Sequence, residues 1–229
     1  MEFLTILTVF FEQKNIVLIM MKFIAHRGFW SDTHEKNTET AFVRALTAGF
    51  GIETDFRDHL GQLVVSHDPP TGEPMKAEDF LKLVASYGQQ TLAVNVKADG
   101  LQDMLHREFK PLGAENYFLF DMSVPDTLRY LDLKLPVYVR ASEYEVPHSM
   151  LLARATGVWL DAFISDWYTA ETIQTYLDLG IKICIVSPEL HKRSHKPSWV
   201  RFKEWNFHRN ENIHLCTDYP QLALEYFIE

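Results

Sequence analysis

Phe23–Asp55 reads FIAHRGFWSDTHEKNTETAFVRALTAGFGIETD: an apolar run, a polar turn, a helical pattern and a second apolar run. The first run, Phe23–Ala25, ends at His26, and the second, Gly51–Asp55, ends in an acidic pair. Between them, Thr38–Ala48 sets Ala41, Phe42, Ala45 and Leu46 at the spacing of one helix face. Strand, helix, strand is the repeating unit of a parallel sheet, because parallel neighbours need a crossover between them.

The unit recurs along the chain. Further apolar runs lie at Leu63–Ser66, Leu92–Val96, Tyr117–Phe120, Val137–Val139, Gly157–Leu160, Ile181–Val186 and Ile213–Cys216. Several are apolar on both faces, as buried parallel strands are. Helical patterns fill the gaps at Ala77–Ser86, Leu101–Phe109, Val124–Leu131, Thr169–Leu179 and Gln221–Phe227, with Asp32, Ser123 and Asp166 as expected caps. With Leu63–Ser66 counted as the return arm of a hairpin, eight main strands remain. Eight parallel strands over about 200 residues predict an α/β fold, a closed (β/α)8 TIM barrel in a single domain. The fallback, a doubly wound open sheet, needs a glycine-rich turn after its first strand, and Arg27-Gly28-Phe29-Trp30 is not one.

The barrel is expected over residues 21–229, with residues 1–20 a dispensable N-terminal extension; a short interfacial anchor is the sharper alternative. Met1–Phe11 is apolar but lacks a basic flank and a small-residue cleavage site, and Glu12 and Lys14 interrupt it, so neither a signal peptide nor a stable membrane span is expected. A formal net charge of −9 argues against nucleic-acid binding, so an anionic substrate must meet a local positive site. Cys184 and Cys216 lie in apolar runs and read as buried free thiols, consistent with a cytoplasmic setting.

In a barrel of this kind the chemistry collects at the C-terminal ends of the strands. His26, Glu53, Asp55, Asn95, Lys97, Asp121, Arg140, Glu143, Asp161, Ser187, Glu189 and Asp218 all fall there. Glu53 and Asp55 are two apart on a strand and so face the same way. From spacing alone, a divalent-cation clamp and a salt-bridged strand end stand level. Asn95 and Lys97 repeat the geometry, one offering a carbonyl oxygen to a metal and the other a point charge to a phosphoryl oxygen. His26 and His67 bracket the acidic pair as an acid and a base, Asp68 could orient His67, and Arg27 offers a fork to phosphate. Arg140, Ser142, Glu143, Trp159, Asp161, Ser187 and Glu189 read as strand-end packing or salt bridges. The basic stretch from His191 to Lys196, with His208, reads as a solvated loop.

His26-Arg27-Gly28, Asn37-Thr38, Ala41-Phe42, Ile52-Glu53-Thr54-Asp55, and Gly61 through Val64-Val65-Ser66-His67-Asp68 together resemble the glycerophosphodiester phosphodiesterases. The match covers residues 23–68 and continues weakly through Val94-Asn95-Val96-Lys97 and Thr217-Asp218-Tyr219-Pro220. The resemblance implies a TIM barrel carrying one divalent cation, Mg²⁺ or Ca²⁺, held by Glu53, Asp55 and Asn95. It implies His26 and His67 as the catalytic acid/base pair and Arg27 and Lys97 as phosphate ligands. The implied substrate is a small-molecule or lipid-derived phosphodiester, cleaved in a way that can pass through a cyclic phosphate.

Three departures stand out. Asn95 replaces the family's usual glutamate, and Lys36 replaces the glutamate of Glu-Asn-Thr. The segment after Asp68 runs straight into a helix near Lys76, with no sizeable insertion domain. The wider superfamily, including sphingomyelinase-D-like enzymes that form a cyclic phosphate, is therefore the broader assignment. A catalytically silent barrel that binds a phosphorylated ligand is the rival kept open by Asn95.

Overall fold

The structure, a computed structural model, describes residues 20–88 and 90–228. The expectation for the N-terminal extension thus lies almost entirely outside the described residues. Eight parallel strands carry the fold: β1 (Lys22–His26), β2 (Gly51–His59), β4 (Leu92–Val96), β5 (Tyr117–Phe120), β6 (Tyr138–Ala141), β7 (Gly157–Leu160), β8 (Lys182–Val186) and β9 (Ile213–Thr217). They run in the order β5-β4-β2-β1-β9-β8-β7-β6, with β3 (Gln62–Val65) antiparallel on β2 as a hairpin arm. The two ends of that order meet where Leu119 bridges Val137 and the Leu119 N–H donates to the Pro136 carbonyl at 2.8 Å. The fold is the expected (β/α)8 barrel.

Alternation along each strand builds two layers. Ile52 and Phe56 of β2, and Val94 and Val96 of β4, join the large outer core under the helices. The intervening residues turn into the lumen, where Ile24, Ala93, Phe118, Phe120, Tyr138, Trp159, Cys184, Val186 and Cys216 form a second core. Two aromatic stacks fill it, Phe118 on Tyr138 and Phe120 on Trp159, each with ring centroids 3.8 Å apart. Gly157, the register partner of Tyr138, leaves room for that ring: a Cβ there would lie 2.3 Å from it. Both cysteines are buried and free, as expected.

The helices are α1 (Glu39–Thr47), α2 (Ala77–Ser86), α3 (Gln102–Phe109), α4 (Val124–Asp132), α5 (Ser149–Leu152), α6 (Ala170–Asp178), α7 (Lys196–Glu204) and α8 (Pro220–Ile228). Thr38 caps α1, Ser123 caps α4, and Thr169 with Thr172 closes a capping box on α6. Asp32 caps a single 3₁₀ turn, Thr33–Glu35. Asp166 is not a cap. It lies three residues before the capping Thr169, and its carboxylate instead takes Arg193, Ser198 and Arg201. The basic stretch is likewise not a loop throughout. Pro188–His191 is a 3₁₀ turn, and α7 starts at Lys196 with Pro197 in its first turn, burying Trp199 and Phe202.

His214 enters the lumen at the opposite end from the candidate site, stacked over Phe118 at 6.1 Å, with its Nδ1 buried and without a hydrogen-bond partner among the described residues. Burial first, then the charges of Lys22 and Lys182, lower its pKa to about 3. Between pH 6.5 and about 3 the unfolded chain therefore binds a proton that the folded chain does not. Stability should be level, as far as this group is concerned, above pH 6.5 and fall below it, with a slope approaching about 1.4 kcal/mol per pH unit. Urea unfolding at stepped pH should show His214→Phe losing that part of the slope; an unchanged slope would rule His214 out as its source.

Candidate active site

The strand registers assemble the site. His26 ends β1 opposite Glu53 of β2, and Asp55 lies opposite Asn95 of β4. On the other flank of β1, Ala25 pairs with Thr217, so Asp218 follows beside His26. The His26 Nδ1 lies 2.7 Å from Asp218 Oδ1, and its Nε2 faces Glu53 Oε2 at 3.9 Å. One ring nitrogen is thus engaged by a carboxylate and the other is turned into the cluster.

Asp55 is fully buried. Asn37 Nδ2 donates to its Oδ2 at 2.8 Å, Arg27 Nε stands 3.0 Å from the same oxygen, and Lys97 Nζ stands 3.3 Å from Oδ1. Among the described residues only the Asn37 contact is aligned as a hydrogen bond, and Arg27 Nε and Asp55 Oδ1 have no hydrogen-bond partner. The two cations therefore neutralise Asp55 as nearby charges and keep donor capacity in hand. Asn37 is itself fixed, accepting from Thr54 Oγ1 at 2.8 Å and donating its N–H to the Arg27 carbonyl at 3.0 Å. Arg27 and Asn37 both sit in left-handed backbone, at φ 57° and 59°. Between them Gly28, at φ 86°, passes so close to α1 that a Cβ would meet the Ala41 Cβ at 2.8 Å. The His-Arg-Gly turn is thus shaped to bring Arg27 over Asp55.

Glu53 is also buried and accepts the Arg27 N–H at 3.2 Å. Its carboxyl is pushed above the usual range by burial first and then by Asp55, against the pull of His26, Arg27 and Lys97. Asn95 Oδ1 is buried and has no hydrogen-bond partner among the described residues. Asp55 Oδ1, which faces Lys97, Asn95 Oδ1 and the Glu53 carboxyl are all hard oxygen donors, the chemistry that suits a divalent cation of the Mg²⁺ or Ca²⁺ type.

His67 stands apart from this cluster. It lies on the loop after β3 with its side chain 43% exposed, and among the described residues its ring is hydrogen-bonded to Asp68 alone, at 3.0 Å. The loop is anchored to the site by backbone contacts. Ser66 N–H donates to the Asp55 carbonyl at 3.0 Å, and Arg57 donates to the carbonyls of His67 and Lys97, each at 3.3 Å.

Three partners have no assigned role in the sequence reading. Asp218 holds His26, Asn37 holds Asp55, and Asp121, at φ 75°, lies 3.8 Å from Lys97. Thr217-Asp218 is visible as a strand-end string, but its pairing with His26 follows only from β9 lying beside β1. The remaining strand-end residues pair with one another. Arg140 pairs with Asp121, with Glu145 at 3.5 Å and, at 3.1 Å, with Asp161, which also takes His191 at 2.6 Å. Glu189 accepts from Ser187, Thr217 and the Asp218 N–H, and Glu143 accepts three consecutive N–H groups, Phe163 to Ser165.

No protein-family model and no curated protein matches the chain. Solved structures do. A glycerophosphodiester phosphodiesterase from Agrobacterium tumefaciens superposes with a TM-score of 0.68 at 15% identity, covering 92% of this chain and 100% of that one. A phosphodiesterase from Oleispira antarctica, solved with its product sn-glycerol-3-phosphate, gives 0.69 at 14% identity over 92% and 98%. A Ca²⁺-dependent phosphatidylinositol-specific phospholipase C from Streptomyces antibioticus gives 0.59 at 11% identity over 91% and 96%. The shared architecture is the (β/α)8 barrel.

Among the described residues Asn37 supplies the one aligned side-chain hydrogen bond to the buried Asp55 carboxylate. Asn37→Ala should lower stability by about 1–3 kcal/mol in urea unfolding. A change within about 0.5 kcal/mol, the scale of an indifferent surface substitution, would show that Arg27 and Lys97 satisfy Asp55 without it.

Proposed function

We propose that this chain is a divalent-cation-dependent phosphodiesterase acting on a glycerophosphodiester-type substrate. The observation that carries the reading is one strand-end rim that joins an oriented histidine, an unsaturated set of buried oxygen donors and two cations with donors to spare. The barrel shared with glycerophosphodiester phosphodiesterases, one of them holding sn-glycerol-3-phosphate, supports it.

In this reading Asp218 accepts from Nδ1–H of His26 and fixes the tautomer, leaving the Nε2 lone pair free to take a proton. His26 removes the proton from the attacking hydroxyl, whose oxygen forms the new bond to phosphorus as the bond to the leaving alcohol breaks. His67, exposed on its loop, returns a proton to that alcohol. Arg27 and Lys97 turn from Asp55 toward the non-bridging phosphoryl oxygens, Arg27 with the Nε that has no hydrogen-bond partner among the described residues. Glu53, Asp55 and Asn95 would hold Mg²⁺ or Ca²⁺, which supplies charge stabilisation as the phosphoryl group gains negative charge. If the attacking hydroxyl belongs to the substrate, a cyclic phosphate forms, and its hydrolysis runs the two histidines in reverse.

Among the described residues no helix is long and apolar enough to cross a membrane. The free buried cysteines support a cytoplasmic setting, and the acidic net charge supports a substrate other than nucleic acid.

Turnover of glycerophosphocholine and bis(p-nitrophenyl) phosphate should fall by about 10²–10⁴ in His26→Ala and in His67→Ala. Phosphorus NMR of the product separates a cyclic phosphate from a monoester. Absence of turnover on either substrate, with ligand binding retained, would favour the silent phosphoryl-binding barrel that the neutral Asn95 keeps open.

Cation binding has a readout free of activity. Mg²⁺ or Ca²⁺ at about a hundred times its dissociation constant should stabilise the protein by about 2.7 kcal/mol. Asp55→Asn should remove that gain in thermal unfolding. An equal shift in the variant would place the cation elsewhere.

A further inference from the structure

A cavity of about 1270 Å³ opens beside the candidate site, between α4 and the segment that leads from β6 into α5. Lys97, Asp121 and Arg140 line it together with an apolar wall that includes Met122, Val124, Leu128, Tyr144, Val146 and Met150. Small-molecule sites usually span about 300–1,000 Å³, so a glycerol-sized group would leave much of this one unfilled.

The wall is unusual in its exposure. Val146 is 89% exposed, Met150 73% and Tyr144 70%, and Val124 and Leu128 are exposed as well. Isolated exposed apolar side chains need no explanation, but a group of them lining one cavity marks a binding surface. The charged lining is mixed, Lys97 and Arg140 standing with Asp99, Asp121 and Glu145, and both cations are ion-paired, so the apolar wall on α4 and around α5 is what distinguishes the cavity. A ligand whose phosphate lies at Lys97 in the proposed site would match this wall with an aliphatic chain.

Resting on the proposed phosphodiesterase reading, we infer that the substrate is a single-chain amphiphile, a phosphodiester bearing one aliphatic chain that lies in this groove. Its phosphate meets Lys97 and Arg27, and its chain covers Met122, Leu128, Val146 and Met150. The groove shares Lys97 with the candidate site, which favours a chain attached to the substrate over a separate protein partner. The net charge of −9 also disfavours attraction to an anionic membrane surface.

The test is binding of hexyl-, octyl- and decylphosphocholine, below their micelle concentrations, to the full chain by titration calorimetry. Each methylene fully buried should tighten binding by about fourfold, and partial burial by less. Val146→Asp and Met150→Asp change exposed positions, so the fold should stand. Both should flatten the chain-length dependence and leave bis(p-nitrophenyl) phosphate turnover within about twofold. Affinity independent of chain length in the unaltered protein overturns the inference, whether another partner or residues 1–19 of this chain fill the groove. A chain-length dependence that survives both variants also overturns it, by placing the chain elsewhere. Chain-length-dependent binding without turnover of any phosphodiester would sustain the groove and sink the enzyme reading, so the two fail separately.

Discussion

A fully buried carboxylate, Asp55, sets the terms for the rest of the rim. Removing a carboxylate from water costs several kcal/mol unless charge and hydrogen bonds replace the solvent. Here the replacements come from three places: Asn37 and Arg27 from the β1–α1 connection, and Lys97 from the end of β4. To reach Asp55, the connection adopts left-handed backbone at Arg27 and Asn37, conformations that bulky residues rarely occupy. The strained turn and the buried charge thus account for one another. Neither is explained by packing alone, and strain of this kind collects where geometry serves a function.

The floor beneath the rim is dry. Stacked aromatic rings and two buried thiols fill the lumen below the charged layer. Low polarity beneath the cluster strengthens every charge interaction above it and raises the cost of any unpaired one. That is why Glu53, two residues from Asp55 on the same strand face, is pushed toward its neutral form. The rest of the rim shows the same economy. Asp121, Arg140, Asp161 and His191 form a chain of pairs in which Arg140 and Asp161 each serve two neighbours, and Lys97 links it to Asp55.

Much of this was legible in the sequence because residues two apart on a strand share a face. Glu53, Asp55, Asn95 and Lys97 interrupt apolar runs at the strand ends, and each lies at the rim the pattern predicts. What was not legible depends on closure. Asp218 is next to His26 only because the last strand returns to the first, a contact spanning 192 residues that no local pattern encodes. Asp166 was misread for a related reason. Its three partners arrive from beyond β8, so a local capping rule could not compete with them. Helix α7 was hidden by its charge, since Trp199 and Phe202 are apolar anchors among Lys196, Arg201 and Lys203.

Asn95 is the point where charge balance decides between the readings. In this chain two carboxylates, Glu53 and Asp55, face two cations, Arg27 and Lys97, with His26 and Asp218 forming their own pair. A carboxylate at position 95 would add a further negative charge to that cluster. The neutral amide avoids it, and in the proposed reading it would hold a divalent cation less strongly than a carboxylate. In the proposed reading, a divalent cation held by Glu53, Asp55 and Asn95 would join Arg27 and Lys97 in countering the negative charge that the phosphoryl group gains, which is where stabilisation favours the transition state over the bound substrate.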